Sequence, residues 1–288
     1  MFGTGPSDRN DIKKPLLTVV VAVFNGAGTL QRCIDSVDKQ TYPRKELVII
    51  DGGSSDGTIE ILRENNEKIA YWESEPDRGI YHAWNKGLTH AKGSWINFLG
   101  ADDYLWQSNV ITRVVPHLIE ALPNVRVVYG PVNFVRPDGT VIMKTGMPWN
   151  RRSFLRKTGG AFSVPHQGVF HHRSLFEVQG CFDESFRIAG DYDLLLRELK
   201  TANAKFVPDI IIAGMQQGGI SSDGKHSVTM LDEIARSWEK NGIHGFLPSW
   251  YLAWTRVHVR QILTGCIGGQ NSRYIANLYR KLRGGPQI

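Results

Sequence analysis

The sequence predicts an α/β protein: a mostly parallel sheet with helices on both faces. Three observations predict it. Short, continuous apolar runs alternate with segments of helical periodicity between residues 16 and 122. The first run, Leu16 to Phe24, is rich in β-branched residues, as a strand buried on both faces must be. Polar and acidic residues follow the runs, and open α/β sheets bind ligands outside the carboxyl ends of their strands.

The elements follow in order. After the first strand, Thr29 to Lys39 sets Leu30, Cys33, Ile34 and Val37 on one helical face. Leu47 to Ile50 reads as the second strand, and Asp56-Gly57-Thr58 opens the next helix with Asp56 as N-cap. Ile69 to Trp72 is a short third strand, followed by a helix from about Ile80 to His90. Trp95 to Leu99 is the fourth strand, and Val110 to Leu122 the next helix. Arg126 to Val135 and Val141 to Lys144 flank the turn Arg136-Pro-Asp-Gly139 and read as a hairpin.

The acids fall at strand ends. Asn25 follows strand one, Asp51 ends strand two, Glu75, Asp77 and Arg78 follow strand three, and Asp102 and Asp103 follow strand four. Clustered carboxylates repel unless a positive group sits among them. A divalent metal on a phosphorylated ligand meets that need, because hard cations take carboxylate and phosphate oxygens together. No GxxxxGK[ST] loop or GxGxxG fingerprint is present. The metal therefore carries most of the phosphate neutralisation, with Arg78 or Lys86 as helpers.

Composition bounds the rest. A chain of 288 residues, 41% hydrophobic and 22% charged, builds one large α/β domain plus an appendage. Three widely spaced cysteines form no disulfide or zinc pattern, so a reducing compartment is expected. The polar N-terminus has no apolar signal region, and no run of 18 apolar residues appears. From Lys240 onward there are seven Lys or Arg and no acid, which leaves the first 239 residues near −1. A neutral body argues against a nucleic-acid groove, and the basic tail suits an anionic contact.

At this point four segments resemble a known family: TVVVAVFN (Thr18 to Asn25), VIIDGGSSDGT (Val48 to Thr58), SEPDRGIYHAWNKG (Ser74 to Gly87) and FLGADDYL (Phe98 to Leu105). They resemble the family 2 glycosyltransferases of the GT-A fold. Pro165 to Lys200 and the segment GGISS (Gly218 to Ser222) resemble acceptor-side segments of its bacterial polysaccharide-biosynthesis branch. The resemblance covers about residues 15 to 225, leaving 226 to 288 as a basic helical extension. It implies a transfer from a nucleotide-diphosphate sugar, UDP favoured, to a hydroxyl of a glycan or lipid-linked acceptor, assisted by Mn²⁺ or Mg²⁺.

Position by position, the resemblance implies that Asp51 bonds the nucleotide base and Asn25 lines base and ribose. Asp77 and Arg78 would line nucleotide and phosphates, and Asp102 and Asp103 would hold the metal on the diphosphate. Asp191 would be the base that deprotonates the acceptor hydroxyl, with inversion as the outcome. One departure stands out: the family often reads Asp-x-Asp-Asp where this chain has Gly100-Ala101-Asp102-Asp103.

Plainer readings stand beside these. Asp51 and Asp56 suit turn and cap chemistry, and Asp102 and Asp103 suit a cap on the following helix. Asp191 opens a helical run, so it suits an N-cap, and a helix N-terminus also favours an ionised base. Asp193 is two residues on and faces elsewhere, which suits a structural role. His166, His171 and His172 could suggest a metal site, but His171 and His172 are adjacent and lack helical ligand spacing, which suits structure or substrate contact. Tyr81 and Trp84 suit packing. Aromatic and aliphatic residues among Arg256 and Arg260, and a second segment from Tyr274 to Leu282, suit an interfacial helix on an anionic membrane. A helix packed on the domain is the alternative. The expected location is cytoplasmic, or peripheral at the inner face of the membrane. A nucleotidyltransferase and a non-catalytic nucleotide-sugar-binding module are the rival functions.

Overall fold

The computed structural model describes residues 14–150, 164–218, 227–243 and, within 250–262, all but 253, 256, 260 and 261. The element order is β1 (Leu17–Val23), α1 (Leu30–Asp38), β2 (Lys45–Asp51), α2 (Thr58–Glu64), β3 (Tyr71–Ser74), α3 (Ile80–His90), β4 (Trp95–Gly100), β5 (Tyr104–Leu105) and α4 (Val110–Ala121). There follow β6 (Val127–Tyr129), β7 (Val132–Val135), β8 (Val141–Thr145), β9 (Val169–His172), α5 (Arg173–Gln179), α6 (Gly190–Leu199), β10 (Lys205–Phe206), β11 (Ala213–Gln216) and α7 (Ser227–Lys240).

Among the described residues the main sheet runs β10-β6-β9-β4-β1-β2-β3. β1, β2, β3 and β4 are parallel, whereas β9 runs antiparallel to both β4 and β6. The pleat sorts the core. Leu17, Val19, Val21 and Val23 of β1 face α1 and α4, while Val20 faces α3 and the helices of the second half. The same alternation runs through Leu47, Val48, Ile49 and Ile50. Helices therefore cover both faces, and the strand interiors are mostly apolar, with buried Thr18 and Asn97 as exceptions.

Two sequence expectations change here. Arg126 to Val135 is not one strand but two, β6 and β7, interrupted at Gly130-Pro131 and belonging to different sheets. Pro131 has no N–H to give to a ladder, so pairing partners switch there: β6 pairs with β9 and β10, β7 with β8 and β11. The small sheet runs β5-β11-β7-β8. The third strand starts at Tyr71, because Asn66–Lys68 forms a 3₁₀ turn and Ile69 follows it.

His166 and His171 sit in the core, 5% and 0% exposed, among Trp84, Phe98, Phe176 and Phe182. Burial holds both imidazoles neutral, with His166 pushed down to about 3. His172 caps α5, its ring nitrogen accepting from Ser174 N.

Candidate active site

The carboxyl ends of β1, β2, β3 and β4 share one edge, because these strands are parallel. At the end of β1 the chain turns through Asn25 at φ 51, a left-handed conformation that asparagine tolerates better than most residues. The Asn25 N–H donates to Ser54 Oγ at 2.7 Å, and its Oδ1 accepts from Ser55 N at 3.0 Å. The β1 and β2 loops are thus one unit. Asp56 strengthens it from outside the N-cap position, which Gly57 occupies. Its carboxylate accepts from Ala27 N at 3.0 Å and Thr58 N at 3.1 Å.

Asp51 lies beneath this unit, 0% exposed. Its oxygens accept from Gly53 N at 3.1 Å, Ser54 N at 2.9 Å, Ser74 Oγ at 2.6 Å and Ser54 Oγ. A buried carboxylate needs such donors, and Asp51 uses them to fix the loop that covers it. Asp77 stands over Gly52: a Cβ added there would lie 2.7 Å from Asp77 Oδ2. Its Oδ1 accepts from Gly79 N at 2.8 Å. Arg78 is exposed and paired with Glu184. Lys86 is paired with Glu73 at 2.5 Å and Glu75 at 3.5 Å, and the Glu73 bond holds its ammonium in the charged form.

Asp102 and Asp103 follow β4 but cap no helix, since α4 begins at Val110. Asp103 is 3% exposed. Its Oδ1 accepts from Gln216 N at 3.0 Å and its Oδ2 from Gly100 N at 3.3 Å. Gln167 adds a side-chain hydrogen bond to it. Arg32 from α1 reaches Asp102 O at 2.8 Å and Gln216 Oε1 at 2.5 Å, and lies over the Tyr104 ring. Burial holds both carboxyls above their usual range; the charge of Asp102 pushes Asp103 further, while Arg32 pulls Asp102 back. A Cβ at Gly100 would meet Asp102 Oδ1 at 2.7 Å, so these two carboxylates fold back over the place where a third would stand.

Asp191 is the second residue of α6, whose N-cap is Ala189, so it sits in the first turn and not at the cap. Its Oδ1 accepts from Tyr192 N at 2.8 Å. The Tyr81 hydroxyl, in the first turn of α3, donates to Ile188 O at 2.6 Å and lies 3.2 Å from Asp191 Oδ1. Because α3 starts beyond the end of β3, this bond brings Asp191 to the same sheet edge as the acids above. Burial raises its carboxyl to about 6. Asp193, 0% exposed, turns into the core and bonds Ser237 Oγ at 2.9 Å and Arg197 Nε at 3.0 Å.

Sequence reading did not assign Ser54, Ser74, Arg32, Gln167, Gln216 or Glu233, and read Tyr81 as packing. Of GGISS, residues 219–222 lie outside the described residues, as does the segment from Tyr274 to Leu282.

Residues 18–178 match the family model described as Glycosyl transferase family 2. The chain belongs to glycosyltransferase family 2. Its relatives include the PGL/p-HBAD biosynthesis glycosyltransferase of Mycobacterium bovis (strain BCG / Pasteur 1173P2). That protein is 31% identical over 186 residues, which span 64% of this chain and 69% of the relative. S. aureus TarS in complex with UDP-GlcNAc has the same fold, with TM-score 0.63 at 17% identity over 86% of this chain and 70% of that one. The chain spans 42% of a longer TarS structure. The mannosyltransferase PcManGT from Pyrobaculum calidifontis, in complex with GDP-Man and Mn²⁺, gives TM-score 0.59 at 18% identity over 93% and 80%. The fold is GT-A, and this family 2 member is a glycosyltransferase enzyme. Family membership sets the nucleotidyltransferase and binding-module alternatives aside.

Proposed function

We propose that this glycosyltransferase moves one sugar from a nucleotide-diphosphate donor to a hydroxyl of a glycan or lipid-linked acceptor, with inversion. Asp191 carries the reading. It is a half-buried carboxylate with weakened acidity, held at the sheet edge that also bears the Asp102–Asp103 pair. A general base works best when its pKa approaches the operating pH, and burial has moved Asp191 in that direction.

The donor lies over the β1 and β2 loops. Asn25 and the turn braced by Asp51 line the base and ribose, and Asp77 and Arg78 line the phosphate side. Lys86 holds the end of β3 through Glu73 and Glu75, so Arg78 is the more available cation for phosphate. Asp191 takes the acceptor's proton from the side opposite the leaving diphosphate, and a single displacement then inverts the anomeric carbon.

Family members use a divalent metal, and the residues here fit one. Among the described residues no three His, Cys, Asp or Glu gather to hold a metal. The donor set is instead two adjacent carboxylates that burial holds above their usual range, with Asp103 pushed further by the charge of Asp102, a repulsion a cation offsets. One or two carboxylates completed by substrate phosphates is a habitual arrangement for Mg²⁺. Asp102 and Asp103 would hold Mn²⁺ or Mg²⁺. When bound, the ion supplies Lewis-acid stabilisation of charge on the leaving diphosphate.

Nucleotide release from a panel of UDP-, GDP- and dTDP-sugars, with Mn²⁺, Mg²⁺ or EDTA, tests this reading. Metal-dependent release from one donor, UDP-linked by expectation, with a product of inverted configuration, supports it. A retained configuration overturns the role of Asp191. Failure to bind any nucleotide sugar overturns the whole.

The segment after Trp250 adds a second proposal, peripheral contact with the anionic inner face of a membrane from the cytoplasm. No helix among the described residues is long and apolar enough to cross a membrane. Tyr251, Leu252, Val259 and Ile262 are nevertheless 55%, 52%, 49% and 65% exposed, in a region whose sequence has no acid after Lys240. The protein is expected to sediment with phosphatidylglycerol-containing vesicles and not with neutral ones. The pair Leu252→Asp and Ile262→Asp is expected to weaken binding by about 10-fold or more. A wild type that stays in the supernatant removes the membrane from the account.

A further inference from the structure

Glu233 is 8% exposed on α7, between Leu231 and Ile234, which are also buried. A buried carboxylate without a cation needs several donors. Glu233 takes three in succession: Arg187 N at 2.7 Å on Oε1, and Ile188 N and Ala189 N, both at 2.9 Å, on Oε2. These amides immediately precede α6, and Ala189 is its N-cap. The opposite side of the same segment is held by Tyr81, whose hydroxyl donates to Ile188 O. Gly190 follows, with no room for a side chain: a Cβ there would lie 2.8 to 2.9 Å from Tyr81 ring atoms. Asp191 is next.

We infer that Glu233 is a positioning residue, which holds the backbone of residues 187–189 against Tyr81 so that the Asp191 carboxylate is presented to the acceptor hydroxyl. The inference rests on Asp191 being the base. Glu233 touches no substrate; it acts through three amides and the first turn of α6. Among the described residues, the ionisable groups that act on Asp191 are Tyr81 on α3 and Glu233 on α7. Tyr81 stays protonated because burial raises it well above its usual value. The negative charge of Glu233 adds to the upward push on Asp191.

Reach and charge separate in two variants. Glu233→Gln keeps the length of the side chain but sets an NH₂ against at least one N–H and removes the charge. Glu233→Asp keeps the charge and falls short of the amides. Both are expected to lower kcat by about 10- to 100-fold with donor KM within about 2-fold, since a misplaced group loses rate and not donor affinity. Only Glu233→Gln is expected to move the acid limb of the kcat profile to lower pH. Wild-type kcat in either folded variant overturns the inference. So does a loss in which donor KM rises in step. Asp191→Asn, measured alongside, separates the two claims. If it stays active, the base assignment falls; if it is inactive while the Glu233 variants turn over normally, only the positioning role falls. Should Glu233→Gln not fold, Glu233→Asp with its kcat and KM split decides alone.

Discussion

Asp191→Asn is expected to cut turnover by about 10²- to 10⁴-fold, the range a positioned general base supplies, and to leave donor binding within a few-fold of wild type. Asparagine keeps the oxygen that accepts from Tyr192 N and loses only basicity. As the proposed base, Asp191 works ionised. Turnover should therefore rise with pH through about 6, where burial has placed the Asp191 carboxyl, and level off above it. Stability follows the opposite slope. The folded carboxyl binds its proton more tightly than the unfolded one at 3.8, so ionisation between roughly 4 and 6 costs the native state free energy. Asp191→Asn avoids that cost. At pH 7.5 it should be more stable by about 1–2 kcal/mol, short of the full linkage value because the carboxyl reaches solvent. The gap should close below about pH 4. Denaturant melts at both pH values, with single-turnover rates, check the pair. An Asn variant that keeps full turnover removes Asp191 from the chemistry.

Asp102→Asn and Asp103→Asn are expected to weaken Mn²⁺ binding, measured with a nucleoside diphosphate present, by at least the ~10- to 100-fold that even outer-shell changes cost. The wild type should release a proton on binding, because the buried pair holds one above the usual carboxylate range and a bound cation displaces it. Its apparent metal affinity should rise with pH across the neutral range. Calorimetry in buffers of different ionisation enthalpy reads the proton directly. Unchanged affinity in both variants, with no proton released, means that the pair is not the metal site.

The fold was legible because its signals are local. The apolar runs and helical spacing placed α3 at Ile80–His90, the range the structure has. The strand-end acids were legible for the same reason, since parallel strands end on one edge. Long-range features were not. The run from Arg126 to Val135 is uniformly strand-like, and only its partners reveal that it feeds two sheets. Asp51 reads in sequence as a contact to the nucleotide base, and the bonds it also takes from two serines and two backbone amides have no local signature. Arg32 and Glu233 lie on amphipathic helices, where charged residues read as a solvated face. Their partners are 184 and 44 to 46 residues away, and no local pattern encodes such pairings.

That separation has a consequence for how the enzyme comes into being. Asp103 takes a bond from Gln216 N, 113 residues on, and the segment just before Asp191 is held by Glu233. At a synthesis rate of about 5–20 residues per second, roughly 6–23 s pass between the emergence of Asp103 and that of its partner strand. During that interval Asp103 lacks the Gln216 N–H that bonds it in the finished fold. Both contacts thus arrive late, Gln216 first and Glu233 17 residues after it. On the proposed reading, a chain ending before residue 216 lacks the partner of Asp103 and is expected to release no nucleotide in the donor assay.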